Sequence, residues 1–154
     1  MDRIQQYLEN LKSEDSATRE KATRELWALW YRQAGAEMEE ELNRGTSLMN
    51  HKNLDGALKV FQELIEKRPD FSEAHNKLAT LLFLKGQYGE SARECEVTLR
   101  RNPHHFGALN GMGMCLFHLN RHEEAIQYFK KALDIQPYAE INRIFIARCR
   151  GKLN

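Results

Sequence analysis

Proline is scarce in this chain, three in 154 residues, and none precedes Pro69. Nothing therefore interrupts helix formation over the first 68 positions. Cysteine is equally sparse: Cys95, Cys115 and Cys149 are scattered, with no Cys-x-x-Cys pair, which excludes a disulfide framework and suits small core residues in a reducing compartment. No apolar run approaches membrane-spanning length, and Met1 is followed by Asp2, Arg3, Ile4, Gln5 and Gln6 instead of an apolar leader core. An excess of one charge is also missing. Lys and Arg number 23 against 22 Asp and Glu, and the resulting pI of about 7.8 is too low for a domain that grips a phosphate backbone. What remains is 42% hydrophobic and 29% charged with few helix breakers, the composition of an all-α domain expected in the cytoplasm, or in an organelle interior if a transit peptide has been removed.

The three prolines are evenly placed: Pro69, Pro103 and Pro137 lie 34 residues apart. At that interval Gly45, Ala79 and Gly113 coincide, as do Leu48, Leu82 and Leu116, then Ala57, Ser91 and Ala125, then Phe61, Cys95 and Phe129. Three units follow, 38–71, 72–105 and 106–139. Within the third, Leu109, Met112, Leu116 and Leu119 recur at helical steps, and after Asn120 and Arg121 so do Ala125, Tyr128, Phe129, Ala132 and Leu133. Each unit thus reads as a helical hairpin, with its proline ending the second helix and biasing the preceding residue away from helical geometry. The small residue of the first helix is expected to face the small residue of the second, letting the two axes approach closely.

This spacing and residue order resemble the tetratricopeptide repeat family. The third unit matches best, with Leu109, Met112, Gly113, Leu116, Ala125, Phe129, Ala132 and Pro137. The second has Cys95 and Thr98 where the family prefers an aromatic residue and Ala, and the first has Glu41 and Arg44 at positions expected to be apolar. The resemblance implies a right-handed all-α solenoid of three hairpins over 37–139, acting as a non-catalytic protein-binding adaptor with no cofactor. The flanks read as a helical hairpin over 1–36 and a closing helix over 140–154. Ile4, Tyr7, Leu8 and Leu11 form one short stripe; Ala22, Leu26, Leu29 and Trp30 share a face of the next helix, with Trp27 and Tyr31 adjacent. Two apolar faces predict contact on two sides, between the first helix and the opening repeat, with both tryptophans largely buried and the hairpin covering the edge of the first repeat. Tyr138, Ile141, Phe145 and Cys149 predict the inward stripe of the closing helix, leaving Ile144 and Ile146 exposed on its flanks. Those two isoleucines favour an alternative, a structural subunit that self-assembles through its terminal helices as a weak homodimer.

No pattern of catalytic chemistry emerges. The stretch from Gly107 to Gly113 imitates a dinucleotide loop, yet it lies inside a helical period and not after a strand. His51, His75, His118 and His122 lack the paired spacing of a helical metal site, and no nucleophile has a base and an orienting acid beside it. The resemblance instead points to a concave groove lined by the first helix of each unit. Its positions fall on Glu39, Leu42, Thr46, Met49 and Asn50; on Glu73, Asn76, Thr80, Phe83 and Leu84 with Lys77 beside them; and on Gly107, Asn110, Met114, Phe117 and His118. Phe83 and Phe117 are expected to face a ligand. Asn76 and Asn110 share one repeat position and offer amides either to a peptide main chain or to neighbouring hairpins. Family members that clamp an acidic chaperone tail resemble one another in a Lys-Asn pair and a Lys-Arg pair where this chain has Leu42 with Thr46 and Gly107 with Gly111, so a tail clamp is not expected from Lys77 alone. Residues 37–71 carry eight acids and five bases, and residues 106–154 carry four and seven, making the early end acidic and the late end basic.

Overall fold

A computed structural model describes residues 2–154. Within them the chain forms nine helices and no strand: α1 (Arg3–Asn10), α2 (Ser16–Arg32), α3 (Ala36–Asn50), α4 (Leu54–Lys67), α5 (Ser72–Leu84), α6 (Tyr88–Arg101), α7 (Phe106–His118), α8 (His122–Ile135) and α9 (Glu140–Leu153). The repeat is visible in its turns. Lys52, Gly86 and Asn120 all adopt positive φ, at 65°, 78° and 61°, and the next amide in each case reaches back to the last turn of the helix, Asn53 to Leu48, Gln87 to Leu82 and Arg121 to Leu116, each at 2.9 Å. That is a left-handed helix stop repeated three times. At the other end of the hairpins, Arg68, Asn102 and Gln136 stand before the prolines with ψ of 79°, 84° and 79°, the extended geometry that proline imposes on its predecessor.

Helices α3 with α4, α5 with α6 and α7 with α8 pair as hairpins, and α9 packs on α8. The closeness of each pair is set by two side chains. A Cβ on Gly45 would lie 2.5 Å from the Phe61 ring, and one on Gly113 would lie 2.6 Å from the Phe129 ring. Both rings are fully buried, an apolar transfer of about 1.5–3 kcal/mol each. The middle repeat exchanges the two volumes: Ala79 stands where the glycines are, and Cys95 where the rings are. Its helices are further tied by Ser91, whose hydroxyl donates to the Ala79 carbonyl at 2.6 Å.

The two departures in the first repeat have a positional reason. Leu78 and Leu82 pack in one cluster with Val60, Phe61 and Leu64 of the preceding hairpin. No hairpin precedes the first repeat, and there the corresponding helix presents Glu41 and Arg44 to solvent, paired at 2.9 Å. The solenoid therefore begins with a polar face on α3, and the N-terminal helices do not cover that edge as expected. At the far end, α9 buries Asn142, Phe145, Ile146 and Cys149, whereas Tyr138, Ile141 and Ile144 are exposed. Ile146 is thus a core residue, 6% exposed, and leaves the proposed self-association patch; Tyr138 and Ile141 leave the inward stripe. Tyr138 precedes the helix, and Asn142 holds an inward position by hydrogen bonding, accepting from Asn110 at 3.0 Å and donating to the Ala139 carbonyl at 3.4 Å.

The N-terminal hairpin takes an unexpected course. Helix α2, 17 residues and so about 25 Å long, runs back along the solenoid past all three junctions between a second helix and the next first helix. Near its C-terminal end Arg68 donates to the Ala34 carbonyl at 3.3 Å. In its middle, Trp30 stacks on His105 with ring centres 4.3 Å apart, and Trp27 meets Phe106 edge-on at 5.5 Å. Toward its start, the Arg19 guanidinium sits 4.0 Å from the centre of the Tyr138 ring. Helix α1 fills the outer side of this strap with Tyr7 and Leu8, beside buried Leu11 and against Ile135 of α8. The two apolar faces of α2 do find two partners, but the second is the start of the second and third repeats, and both tryptophans are only half-buried.

Candidate protein-binding groove

The first helices of successive hairpins touch one another, α3 with α5 and α5 with α7, more closely than the second helices do. That curvature puts the first helices on the inner face of the stack. The strap crosses this face where α5 and α7 begin: Trp27 lies against Gly107, where a Cβ would come within 2.8 Å of the indole, and Lys77 projects its ammonium over the Trp27 and Tyr31 rings at 5.6 and 5.1 Å. The groove that remains open lies toward the C-terminal halves of these helices.

The groove positions read from the sequence divide accordingly. Leu42, Met49 and Glu73 are buried and present little or no surface to a partner: Leu42 and Met49 belong to the core between α3 and α4, and Glu73 is bonded to His105; Asn76, also buried, keeps one edge on the groove. Thr80, Leu84, Asn50 and His118 are exposed, Thr46, Phe83, Asn110, Met114 and Phe117 are half-buried, and Lys77 is engaged by the strap's rings. Phe83 and Phe117 serve the core as well as the groove. The Phe83 ring meets Tyr88 at 5.2 Å and His118 at 5.4 Å, and Phe117 packs at right angles on buried Phe145 at 5.2 Å.

A buried polar chain runs beneath the groove. The His105 ring caps α7 by accepting the Ala108 amide at Nδ1, 3.0 Å away, so its proton resides on Nε2 and is donated to the Glu73 carboxylate at 2.8 Å. Neither side chain has any exposure. The second Glu73 oxygen accepts from the Asn76 amide at 2.9 Å. Because a carboxylate only accepts, this bond fixes the Asn76 orientation: its Nδ2 faces Glu73 and its Oδ1 is left over. Asn110 is fixed in the same way by Asn142. The two asparagines are therefore bound through their nitrogens within and between hairpins, and both keep a carbonyl oxygen without a protein donor. Trp30 forms the lid over His105, a contact that no motif in the sequence announces.

Between α5, α6 and α7 the groove deepens into a cavity of about 270 Å³. Cys95, Ala79 and Ser91 form its floor, Phe83 and Met114 line its walls, and Gly111 stands where a Cβ would meet the Cys95 sulfur at 3.3 Å. The neighbouring Cys115 thiol and burial push the Cys95 thiol well above its ordinary range. Cys115 in turn donates to the Ser91 hydroxyl at 3.2 Å.

Comparison with known proteins agrees with this architecture. Two tetratricopeptide repeat models match, over residues 42–98 and 107–138. A TPR repeat-containing protein of Rhizobium etli is 35% identical over 89 residues, 58% of this chain and 44% of that protein. A human FK506-binding protein-like protein is 30% identical over 122 residues, 74% of this chain and 35% of that protein. The chain thus spans less than half the length of either curated relative. Among solved structures, the first TPR of Spaghetti (RPAP3) bound to the HSP90 peptide SRMEEVD superposes with a TM-score of 0.72 at 16% identity, covering 73% of this chain and 90% of that one. The Arabidopsis OM64 TPR domain gives 0.71 at 18% identity, covering 73% and 93%. This fold is in general a non-enzymatic protein-interaction module. With repeat period, hairpin geometry and both matched models in agreement, the chain belongs to the tetratricopeptide repeat family.

Proposed function

We propose that this chain is a protein-binding adaptor that holds a segment of a partner protein in the stretch of concave groove left open by α2. The observation that carries the reading is the cavity between α5 and α7: its walls include half-exposed Phe83 and Met114, apolar surface that the solenoid's own packing leaves uncovered. Structural neighbours bound to HSP90 and HSP70 peptides support a peptide segment as the ligand. Tail clamping itself is not part of the proposal. Leu42 is buried, Gly107 and Gly111 carry no charge, and the ammonium of Lys77 already lies over two rings of the strap. An acidic terminus would find no set of convergent cations to offset its desolvation.

The test uses Thr80→Arg combined with Met114→Arg, which places two cations on the groove, one at an exposed and one at a half-buried position. Partners captured by the wild-type chain from a native extract and identified by mass spectrometry should be lost to the double variant, with helicity unchanged. Equal capture by both proteins would move the binding face elsewhere.

A further inference from the structure

The cavity in the groove sits at the one repeat that lacks its ring. In the flanking repeats Phe61 and Phe129 occupy the position of Cys95, against Gly45 and Gly113. In the middle repeat a thiol replaces the ring, and an open space of about 270 Å³ lies over that thiol. Such a volume falls below the range of small-molecule and cofactor sites, roughly 300–1,000 Å³, and suits a single large side chain. The hydrogen-bonding groups around it are unevenly used. Each polar side chain there already gives a hydrogen bond: Asn76 to Glu73, Asn110 to Asn142, Thr80 to the Asn76 carbonyl at 3.2 Å and Ser91 to the Ala79 carbonyl at 2.6 Å. Two acceptors are free, the Oδ1 atoms of Asn76 and Asn110, and Asn76 is itself 94% buried, its residue being 6% exposed.

From this we infer that the cavity is an anchor pocket for a tryptophan side chain presented by a partner protein, a reading that rests on the groove function proposed above and specifies its ligand. The walls call for an apolar body, and the missing ring of the middle repeat calls for an aromatic one. The free acceptors call for a donor. Indole is uncharged, has one N–H and accepts nothing. Phenylalanine leaves both amide oxygens unmet. Tyrosine also brings an acceptor, and the amide nitrogens that could meet it are already held by Glu73 and Asn142. Arginine and lysine bring five and three N–H groups to two acceptors and bury a charge between apolar walls. The buried Glu73 carboxylate behind Asn76 orients that amide and adds negative potential on the side the indole N–H would face.

The probe is the peptide Gly-Trp-Gly, capped at both ends, titrated into the isotope-labelled full chain and followed by NMR. Shifts confined to the surroundings of Ala79, Gly111 and Met114 are expected, with binding about tenfold weaker for the N1-methylindole peptide and weaker again for Gly-Phe-Gly. Ala79→Gly with Cys95→Phe rebuilds the glycine–ring pair of the flanking repeats and fills the cavity from within; it should fold and lose the probe. Should that variant fail to fold, the methylated peptide on the wild-type chain still decides, because it removes the N–H alone. Equal binding of the methylated peptide, shifts centred elsewhere, or no binding of Gly-Trp-Gly would each overturn the proposal. So would free indole binding as tightly as the peptide, which would mark a small-molecule site. Natural partners retained by Ala79→Gly/Cys95→Phe but lost to Thr80→Arg/Met114→Arg would leave the groove standing and remove the anchor pocket.

Discussion

Gly113 shows how little room a hairpin of this kind leaves. An added Cβ would lie 2.6–2.8 Å from three atoms of the Phe129 ring, and that ring is fully buried among neighbours that cannot yield. Gly113→Ala should therefore destabilise the fold by about 1–3 kcal/mol, as overpacking does, read as a lower midpoint of chemical denaturation. At this scale the sequence is informative, because a 34-residue comparison sets Gly45, Ala79 and Gly113 in one column and Phe61, Cys95 and Phe129 in another. It is less informative about the groove. A helical position can be assigned to a face, but Glu73 looks like a groove residue until the bond to His105 and the cover of Trp30 over that ring place it inside.

Between elements, polar contacts carry information that apolar periodicity misses. His75 stands where the third repeat has Leu109, and it joins the start of α5 to α6: Nδ1 meets the Glu94 carboxylate at 2.7 Å and Nε2 meets the Pro69 carbonyl at 2.9 Å. Both partners only accept, so the ring satisfies both when it is protonated. Burial opposes that charge, yet the Glu94 and Pro69 bonds outweigh it and raise the His75 pKa above its ordinary 6.5. A raised folded-state value stabilises the folded chain most below about pH 6.5, and the contribution fades as pH climbs through the higher folded value. Stability measured by urea denaturation should accordingly fall across that window, and His75→Gln should flatten the fall. The closing helix teaches the same lesson. Asn142 faces inward because Asn110 and the Ala139 carbonyl satisfy it, so a wheel built on apolar residues alone turns the face of α9 and misplaces Ile146. The three hairpins, by contrast, were legible as a fold, since the prolines recur at a constant 34-residue spacing.

Across the whole molecule, the strap is what the sequence conceals. Tandem repeats declare themselves through likeness to one another, and α1 and α2 have no likeness to compare. Their destination depends on contacts with residues about 75–120 positions away in the chain. Deleting residues 1–34 removes the lid over the buried His105–Glu73 pair and the rings beneath Lys77. The truncated solenoid should melt earlier and less cooperatively, and hydrogen exchange should show loss of protection at the Ala108 amide, which His105 holds at 3.0 Å. Unchanged melting and unchanged protection at Ala108 would show that the strap contributes nothing to the fold it touches.

That long reach also sets an order of events during synthesis. The hairpins close through neighbouring contacts and can form as they leave the ribosome, whereas the strap emerges first and its seat last. At a typical 5–20 residues per second, Trp30 waits roughly 4–15 s before His105 exists to receive it. Arg19 waits longer for Tyr138. Until then two tryptophans and Tyr31 stand open on α2, which is made before the surface that covers them. Docking of α2 is thus the step by which the finished chain withdraws that surface from its surroundings.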